Sequence, residues 1–599
     1  MTTYRAPVQD MAFVLRHVVV LDELARFDEF SHVDEGTVES LLEEAGRFFS
    51  DVVGPLNTVG DREGLEVVGD EVRTAPGFGD AYRRYVEAGW GGVPFDPAYG
   101  GGGFPWAIAL ALQEMITSAN MSFSLCPLLT QGAVEMLQSH GSEEQKETWL
   151  PKLVSGEWSG TMNLTEPQAG SDVGALATRA TPQPDGSYRI VGTKIFITYG
   201  EHDLTDNIVH LVLARTPGAP PGTKGISCFI VPKYLLDDDG NPTVRNDLRV
   251  VSSEHKLGIH ASPTCVMAYG EGEGAVGYLI GEPNAGMRYM FTMMNNARLS
   301  VGLQGLALAE RAYQAAADHA RERRQGRALA GDPGPDGASP IVDHADVRRM
   351  LMTMRAQIEA MRGLLYYAAG CIDRAHHHPD PDERARMEAR TALLIPVCKA
   401  WSTDLGVELT SVAIQVHGGM GYVEEAGVAQ FYRDARIAPI YEGTNGIQAM
   451  DLVFRKLPLQ GGRAVKELVA EMESLADDLG RTKGDLAAVG HSLAEGVRAF
   501  TEAATHLGGR LAEAPNDAAA GAAPFTRLAG IVFGGWVLAD MARIATDELA
   551  VGQGDATFLQ DKVAVAGFYA EQLLPQASGL LAAATAGAEG LYTVATDRL

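Results

Sequence analysis

At one point the chain sets a carboxylate between an aromatic residue, a glycine and a helix start: Tyr441-Glu442-Gly443-Thr444-Asn445-Gly446-Ile447-Gln448. A carboxylate with a free pKa of about 4.3 is too weak a base to take a proton from carbon unless desolvation raises it. Free backbone N–H groups at the helix start can hold phosphate or ribose oxygens. By itself the tripeptide also fits a helix N-terminal cap with Glu442 as a solvated acid. Four further segments carry polar and glycine-rich patterns: TMNLTEPQAGSD at 161–172, TKIFITYG at 193–200, ARERRQGR at 320–327 and QVHGGMG at 415–421. The first reads alone as a polar β-turn. The glycines of the last suit close backbone approach. HGGMG is not GxGxxG and no strand is expected before it, so it is not a Rossmann site. P-loop, HExxH and GxSxG patterns are absent from the sequence. His376, His377 and His378 lack ligand spacing and read as a solvated loop, so no metal is expected.

These segments need a scaffold. The chain has 599 residues, 46% hydrophobic and 21% charged, enough for three to five structural units. A net charge of −28 argues against nucleic acid or an anionic membrane as the main partner. Residues 1–160 read mainly as helix, with Val38, Leu41, Leu42, Ala45 and Phe48 on one face and a break at FDPAYGGGGFP. Residues 161–285 carry short β-rich runs, among them YRIVGTKIFIT, NIVHLVLART and KGISCFIVP, separated by turn clusters. Helices return over 286–457, with a loop at GDPGPDGASP. Residues 458–599 form an additional Ala-rich helical domain, with a helix stop at Gly480 and a flexible connector at EAPNDAAAGAAP. The fold class is therefore α+β: a helical N-terminal domain, an antiparallel β-barrel-like middle domain, a helical bundle and an extra helical domain. Cys126, Cys228, Cys265, Cys371 and Cys398 include no CxxC pair and read as buried thiols in a reducing cytoplasm. Neither a signal peptide nor an apolar run of membrane-spanning length is expected.

Taken in this order, the four segments and the YEGT element resemble the acyl-CoA dehydrogenase family over roughly residues 80–457. YRAPVQDM near the start and the C-terminal extension further resemble a longer bacterial subgroup, which includes 3-methylthiopropionyl-CoA and broad-range fatty acyl-CoA dehydrogenases. The resemblance implies FAD-dependent α,β-dehydrogenation of an acyl-CoA thioester to the trans-2-enoyl-CoA. Glu442 would remove the α-proton, and the β-hydrogen would leave as hydride to flavin N5. The Glu442 N–H would help hold the thioester oxygen as charge develops. Met162, Leu164 and Thr165 would contact the flavin ring. Gly170 and Ser171 would face the pyrophosphate or CoA, Thr198 would reach the ring and Phe196 would pack on it. Most members carry tryptophan where Phe196 stands.

Arg323 and Gln325 match an arginine and glutamine that bind FAD pyrophosphate across a subunit interface, although the phenylalanine expected next is missing. Arg321 and Arg324 lie beside them, and a solvated helix face accounts for two of the three. Gln415, Gly418 and Gly419 would receive the adenine half of FAD from a neighbouring subunit, with Thr444 and Gly446 completing the cofactor set. Arg298, Tyr441 and Gly443 join Ser171 as substrate contacts, Arg298 fitting a structural salt bridge equally well. Some members place the base on an earlier helix, just before an arginine; here that position is Ala297. The resemblance also implies an electron-transfer flavoprotein as acceptor, a homodimer or dimer of dimers, and a cytoplasmic role in fatty acid β-oxidation. The extra domain is expected to stabilise the assembly or cap the acyl site. An acyl-CoA oxidase using O2 and an inactive scaffold relative are the alternatives.

Overall fold

The computed structural model describes residues 3–330 and 337–599, the Asn295 side chain excepted; most of the GDPGPDGASP loop lies outside the described residues. The chain divides into two compact units: Arg47–Phe104 with Met115–Ser300, and Met1–Gly46 with Pro105–Glu114 and Val301–Leu599.

The first unit holds the strands. A small hairpin, β1 (Glu66–Val68) and β2 (Glu71–Arg73), interrupts the helical N-terminal region and was not expected from its sequence. The main sheet is built from β3 (Trp158–Asn163), β4 (Arg179–Pro182), β5 (Tyr188–Thr198), β6 (Asn207–Ala214) and β7 (Ser227–Pro232). A ribbon of β8 (Tyr234–Leu236) and β9 (Pro242–Arg245) follows, then β10 (Leu248–Ser253), β11 (Thr264–Tyr269) and β12 (Ala275–Leu279). The β-rich runs read from the sequence are β5, β6, β7, β11 and β12.

The β middle domain is present as expected, and two features make its sheet less regular than an antiparallel β-barrel-like domain. The strand order β10-β11-β5-β12-β7-β6-β3, with β4 on β5, is an open path that does not close. In addition, β3 pairs with β6 in parallel, from Trp158 opposite Asn207 to Asn163 opposite Val212. A long crossover through β4 and β5 separates these two strands, so β6 arrives running the same way; a hairpin turn would have reversed it. All eight residues of β6 are buried. Val209, Leu211 and Leu213 enter a core with the helices Met121–His140 and Glu143–Ser155. Val212 and Ala214 enter a second core with Ile190, Phe229, Val250 and Met267. A strand buried on both faces reads as a continuous apolar run, which is why NIVHLVLA shows no alternation.

The second unit is helical. Gly286–Glu322 enters it at Val301 and meets Pro381–His417, while Ala345–His377 packs antiparallel to the latter. The backbones approach closely: a Cβ on Gly305 would lie 2.1 Å from the Ser402 carbonyl oxygen. Arg463–Gly480 ends at the expected Gly480 and is followed by Asp485–Glu513. The expected flexible connector is instead the first three turns of Pro515–Val551. Pro515 sits at N1, where its missing N–H costs no hydrogen bond, and alanines carry the highest helix propensity. This helix is long and apolar enough to cross a membrane, but 83% of its apolar window is buried inside the protein, as in a core helix.

A buried ionic cluster ties the unit together. Arg362 of Ala345–His377 pairs with Asp10, Glu114 and Glu310. Lys562, from helix Ala556–Gln572 of the extra domain, pairs with Asp10 and Glu359. Tyr366 donates to Glu114.

Candidate functional site

In the sheet unit, the TEPQAGSD segment makes a tight turn in which Glu166 and Ala169 exchange backbone hydrogen bonds. Its residue types alone would allow that. What exceeds an ordinary turn is how it is pinned to β5. Lys194 Nζ donates to the Leu164 carbonyl at 3.0 Å and to Glu166 Oε1 at 2.8 Å, and Ile195 N donates to the Thr165 carbonyl. The Lys194 and Glu166 side chains are 0% and 3% exposed. Burial alone would raise the Glu166 carboxyl, but Lys194, the Thr178 hydroxyl and the Ala177 N–H pull it down to about 2. Burial lowers the Lys194 ammonium to about 8. Met162, Leu164 and Thr165 are thereby fixed half-buried beside the end of β5, with Gly170 and Ser171 exposed on the same loop.

At that end of β5, Phe196 is 58% exposed and its backbone is left-handed, with φ 59°. A large aromatic residue in this region holds about 1–3 kcal/mol of strain, which persists only where the surroundings over-determine it. Thr198 lies opposite Thr264 two residues on. Arg298, at the other end of this unit's sequence, is buried with its guanidinium 5.9 Å from the Phe291 ring. Glu135 was not singled out from the sequence. It accepts from the Asn296 amide, beside Ala297, and burial pushes its carboxyl up to about 7.

In the helical unit, Tyr441, Glu442, Gly443, Thr444 and Gly446 share one loop. Glu442 is half-buried and left-handed, with φ 56°, and Gly443 follows at φ 85°. Thr444 is the cap of helix Asn445–Asp451, its Oγ1 accepting from Ile447 N at 3.2 Å. The cap reading is therefore right for Thr444, and Glu442 stands two residues before it on strained backbone.

Asn445 holds the loop down. Its side chain accepts from Lys399 Nζ at 2.9 Å and donates to Asp404 Oδ1 at 2.7 Å and to the Ala400 carbonyl at 3.1 Å. Thr403 completes the contact, and Asn445 N donates to the Pro439 carbonyl. Tyr441 donates to Gln304, and burial pushes its phenol above the usual range. Asn445, Lys399, Thr403, Asp404 and Gln304 carried no sequence signal except the position of Asn445 directly after the cap.

The remaining candidates form a second cluster of this unit. Arg323 donates to Gln325 at 3.2 Å, whereas Arg321 is taken by Asp318. One turn before Arg323, His319 stacks on His417 at 4.4 Å, next to exposed Gly418 and Gly419 and two residues after exposed Gln415. The structure thus brings the RRQGR and QVHGGMG segments of one chain together.

Known domains match almost the whole chain. Residues 37–157, 161–270 and 284–457 match the acyl-CoA dehydrogenase N-terminal, middle and C-terminal domains. Residues 466–595 match the acetyl-CoA dehydrogenase C-terminal-like domain. A 3-methylmercaptopropionyl-CoA dehydrogenase of Ruegeria pomeroyi is 47% identical, the match covering 96% of this chain and 97% of that one. A broad-specificity linear acyl-CoA dehydrogenase of Mycobacterium tuberculosis is 36% identical, covering 96% of each. Among solved structures, an acyl-CoA dehydrogenase complexed with FAD from Bacillus anthracis aligns with a TM-score of 0.73 at 21% identity, over 91% of this chain and 87% of that one.

Proposed function

This chain belongs to the acyl-CoA dehydrogenase family, and from that premise we propose that Glu442 is the base that removes the α-proton of an acyl-CoA thioester during its conversion to a trans-2-enoyl-CoA. The observation that carries this reading is the strained backbone of Glu442, held by the Asn445 contacts at the mouth of a capped helix. Strain of this kind is retained where it serves a site. The α-proton of a thioester is weakly acidic, so the base must be desolvated and the carbonyl oxygen must meet a hydrogen-bond donor as charge develops. The Glu442 N–H is that donor, and by the same family reading Tyr441, Gly443, Ser171 and Arg298 would be the substrate contacts.

FAD fits the residues present. Phe196 offers an exposed ring, Arg323 an exposed guanidinium, and nothing lies within 4 Å of a Cβ placed on Gly170, Gly418 or Gly419. Met162, Leu164, Thr165, Phe196 and Thr198 would hold the flavin ring, Ser171 the pyrophosphate side, and Arg323, Gln325, Gln415, Thr444 and Gly446 the remainder. When bound, FAD supplies the acceptor for the β-hydride. An electron-transfer flavoprotein as the next acceptor, and a place in cytoplasmic acyl-CoA breakdown, follow from the same family reading. The domain boundaries we assign are 1–160, 161–285, 286–457 and 458–599.

Glu135 supports a second base reading, since a carboxyl near pKa 7 bonded beside Ala297 has the right basicity. We favour Glu442 because its backbone is strained as well as its carboxyl partly buried.

The purified protein should be yellow, with one FAD per subunit. In an acyl-CoA panel with an artificial electron acceptor, the 47% identical relative points to 3-methylthiopropionyl-CoA and similarly short chains as the fastest substrates. Turnover confined to long-chain acyl-CoA would reject that substrate class. Stoichiometric peroxide in air would favour the oxidase alternative, and a colourless protein without affinity for FAD would remove the reading altogether.

The exposed Met420, Tyr422 and Val423, next to Gly418 and Gly419, form an apolar surface suited to a second copy of the chain. Sedimentation is expected to give a dimer or dimer of dimers. A monomer that keeps FAD tightly would contradict the assignment of Arg323 and Gln415 to a shared site.

A further inference from the structure

We propose that helix Pro515–Val551 of the extra C-terminal domain is a positioning element for the Glu442 loop, acting through the turn at residues 399–404 that grips Asn445. The inference rests on Glu442 being the base.

A left-handed, non-glycine backbone at Glu442 has to be imposed from outside the loop. The groups that hold the loop three residues on are Lys399, the Ala400 carbonyl, Thr403 and Asp404, all on helix Pro381–His417 and all bonded to the Asn445 side chain. In the middle of that turn stands Trp401, 3% exposed, and its contacts lead into the extra domain. A Cβ on Gly530 would lie 2.2 Å from Trp401 Cγ, and one on Gly534 would lie 2.6 Å from Cη2. The two glycines, one helical turn apart, leave the space that the indole occupies. Its ring therefore fixes the turn against Pro515–Val551.

One turn earlier on the same helix, Arg527 grips Glu408 of Pro381–His417 with its two terminal guanidinium nitrogens, at 2.5 and 2.9 Å. Arg527, Thr526 and Ala523 form one wall of an 80 Å³ cavity whose other wall is Asp404, Asn445 and Gly446. The extra domain thus meets both ends of the grip: the turn that holds Asn445 and the start of the helix that Asn445 opens. A displacement of about 1 Å at a reacting group can cost about 10²-fold in rate. Small losses of contact on this wall are therefore expected in the chemical step rather than in binding.

The test uses the full-length holoenzyme. Arg527 and Glu408 are both about 40% exposed, at 40% and 44%, so breaking their pair leaves folding intact. Arg527→Met should lower kcat by roughly 5- to 30-fold, with KM for acyl-CoA, flavin content and Tm at parental values. Arg527→Lys, which keeps a cation on the wall, should recover most of the loss. Arg543→Met is the control. That arginine lies farther along the same helix and pairs with Asp540 and Asp547, so its kcat should match the parent. Gly534→Ala should lower kcat further by pushing on Trp401; should it not fold, the Arg527 series decides alone. A parental kcat in Arg527→Met, or a loss matched by a fall in Tm or flavin content, overturns the proposal. A parent enzyme that dehydrogenates no acyl-CoA fails one step earlier, at the base assignment, and takes the proposal with it.

Discussion

Glu442→Gln is expected to bind FAD and acyl-CoA yet leave the flavin oxidised when substrate is added without oxygen. Glutamine keeps the size of the side chain and most of its hydrogen bonding but cannot accept the α-proton. General base catalysis contributes about 10²–10⁴-fold, and more is lost where no other group reaches the proton. The alternative base position holds Ala297, which offers no rescue. Glu135 is the group that makes the experiment decisive, because burial pushes its carboxyl up to about 7 and Asn296 bonds it. Glu135→Gln should keep flavin reduction within a few-fold of the parent. Single-turnover bleaching of the flavin, followed by stopped flow, measures both. Near-parental bleaching in Glu442→Gln, with its loss in Glu135→Gln, would transfer the role to Glu135.

The second large effect concerns stability. Arg362→Met should destabilise the helical unit by about 3–5 kcal/mol, because it leaves buried carboxylates without their cation. Three acids converge on this guanidinium: Asp10, Glu114 and Glu310. Burial alone would raise Asp10, while Lys562 and Arg362 hold it at about 2. Burial also raises Glu114, and there it prevails over Arg362 and Tyr366. Among the described residues, removing Arg362 leaves Glu114 with the Tyr366 hydroxyl and Asp10 with Lys562.

Because Asp10 stands on helix Val8–His17, the N-terminal helix should loosen first, seen as earlier proteolysis near residue 10. Adding Glu114→Gln and Glu310→Gln to Arg362→Met should recover part of the loss, since the two buried acids that Arg362 paired are then neutral. A loss below about 1 kcal/mol in denaturant unfolding would mean that the cluster is solvated or protonates freely.

Much of this protein is legible without its fold. The order helical, β, helical and extra helical follows from local periodicity and turn residues, and the run Tyr188–Thr198 coincides with β5 because alternation and β-branching are properties of the segment itself. Glu442 and the glycines of QVHGGMG are nominated by the order of motifs that resembles a family, since their residue types alone fit a helix cap and a turn as well.

Long-range contacts decided the rest. Residues 513–524 look like a linker by composition, yet Pro515 starts a helix whose inner face is buried, and burial outweighs the apparent looseness of the sequence. The parallel pairing of β3 with β6 depends on the path of a crossover that no strand encodes. Glu166 and Lys194 lay in plain view in two separate motifs, but their pairing 28 positions apart is made by the sheet. Asn445, three residues after the left-handed Glu442, is held by Lys399, Thr403 and Asp404, more than 35 residues upstream. Arg362 meets Glu114 across 248 residues. A sequence determines which side chains can do chemistry and which segments can form elements, because both are local properties. Strain, burial and charge pairing belong to neighbours distant in the chain, so only the packed tertiary structure fixes them.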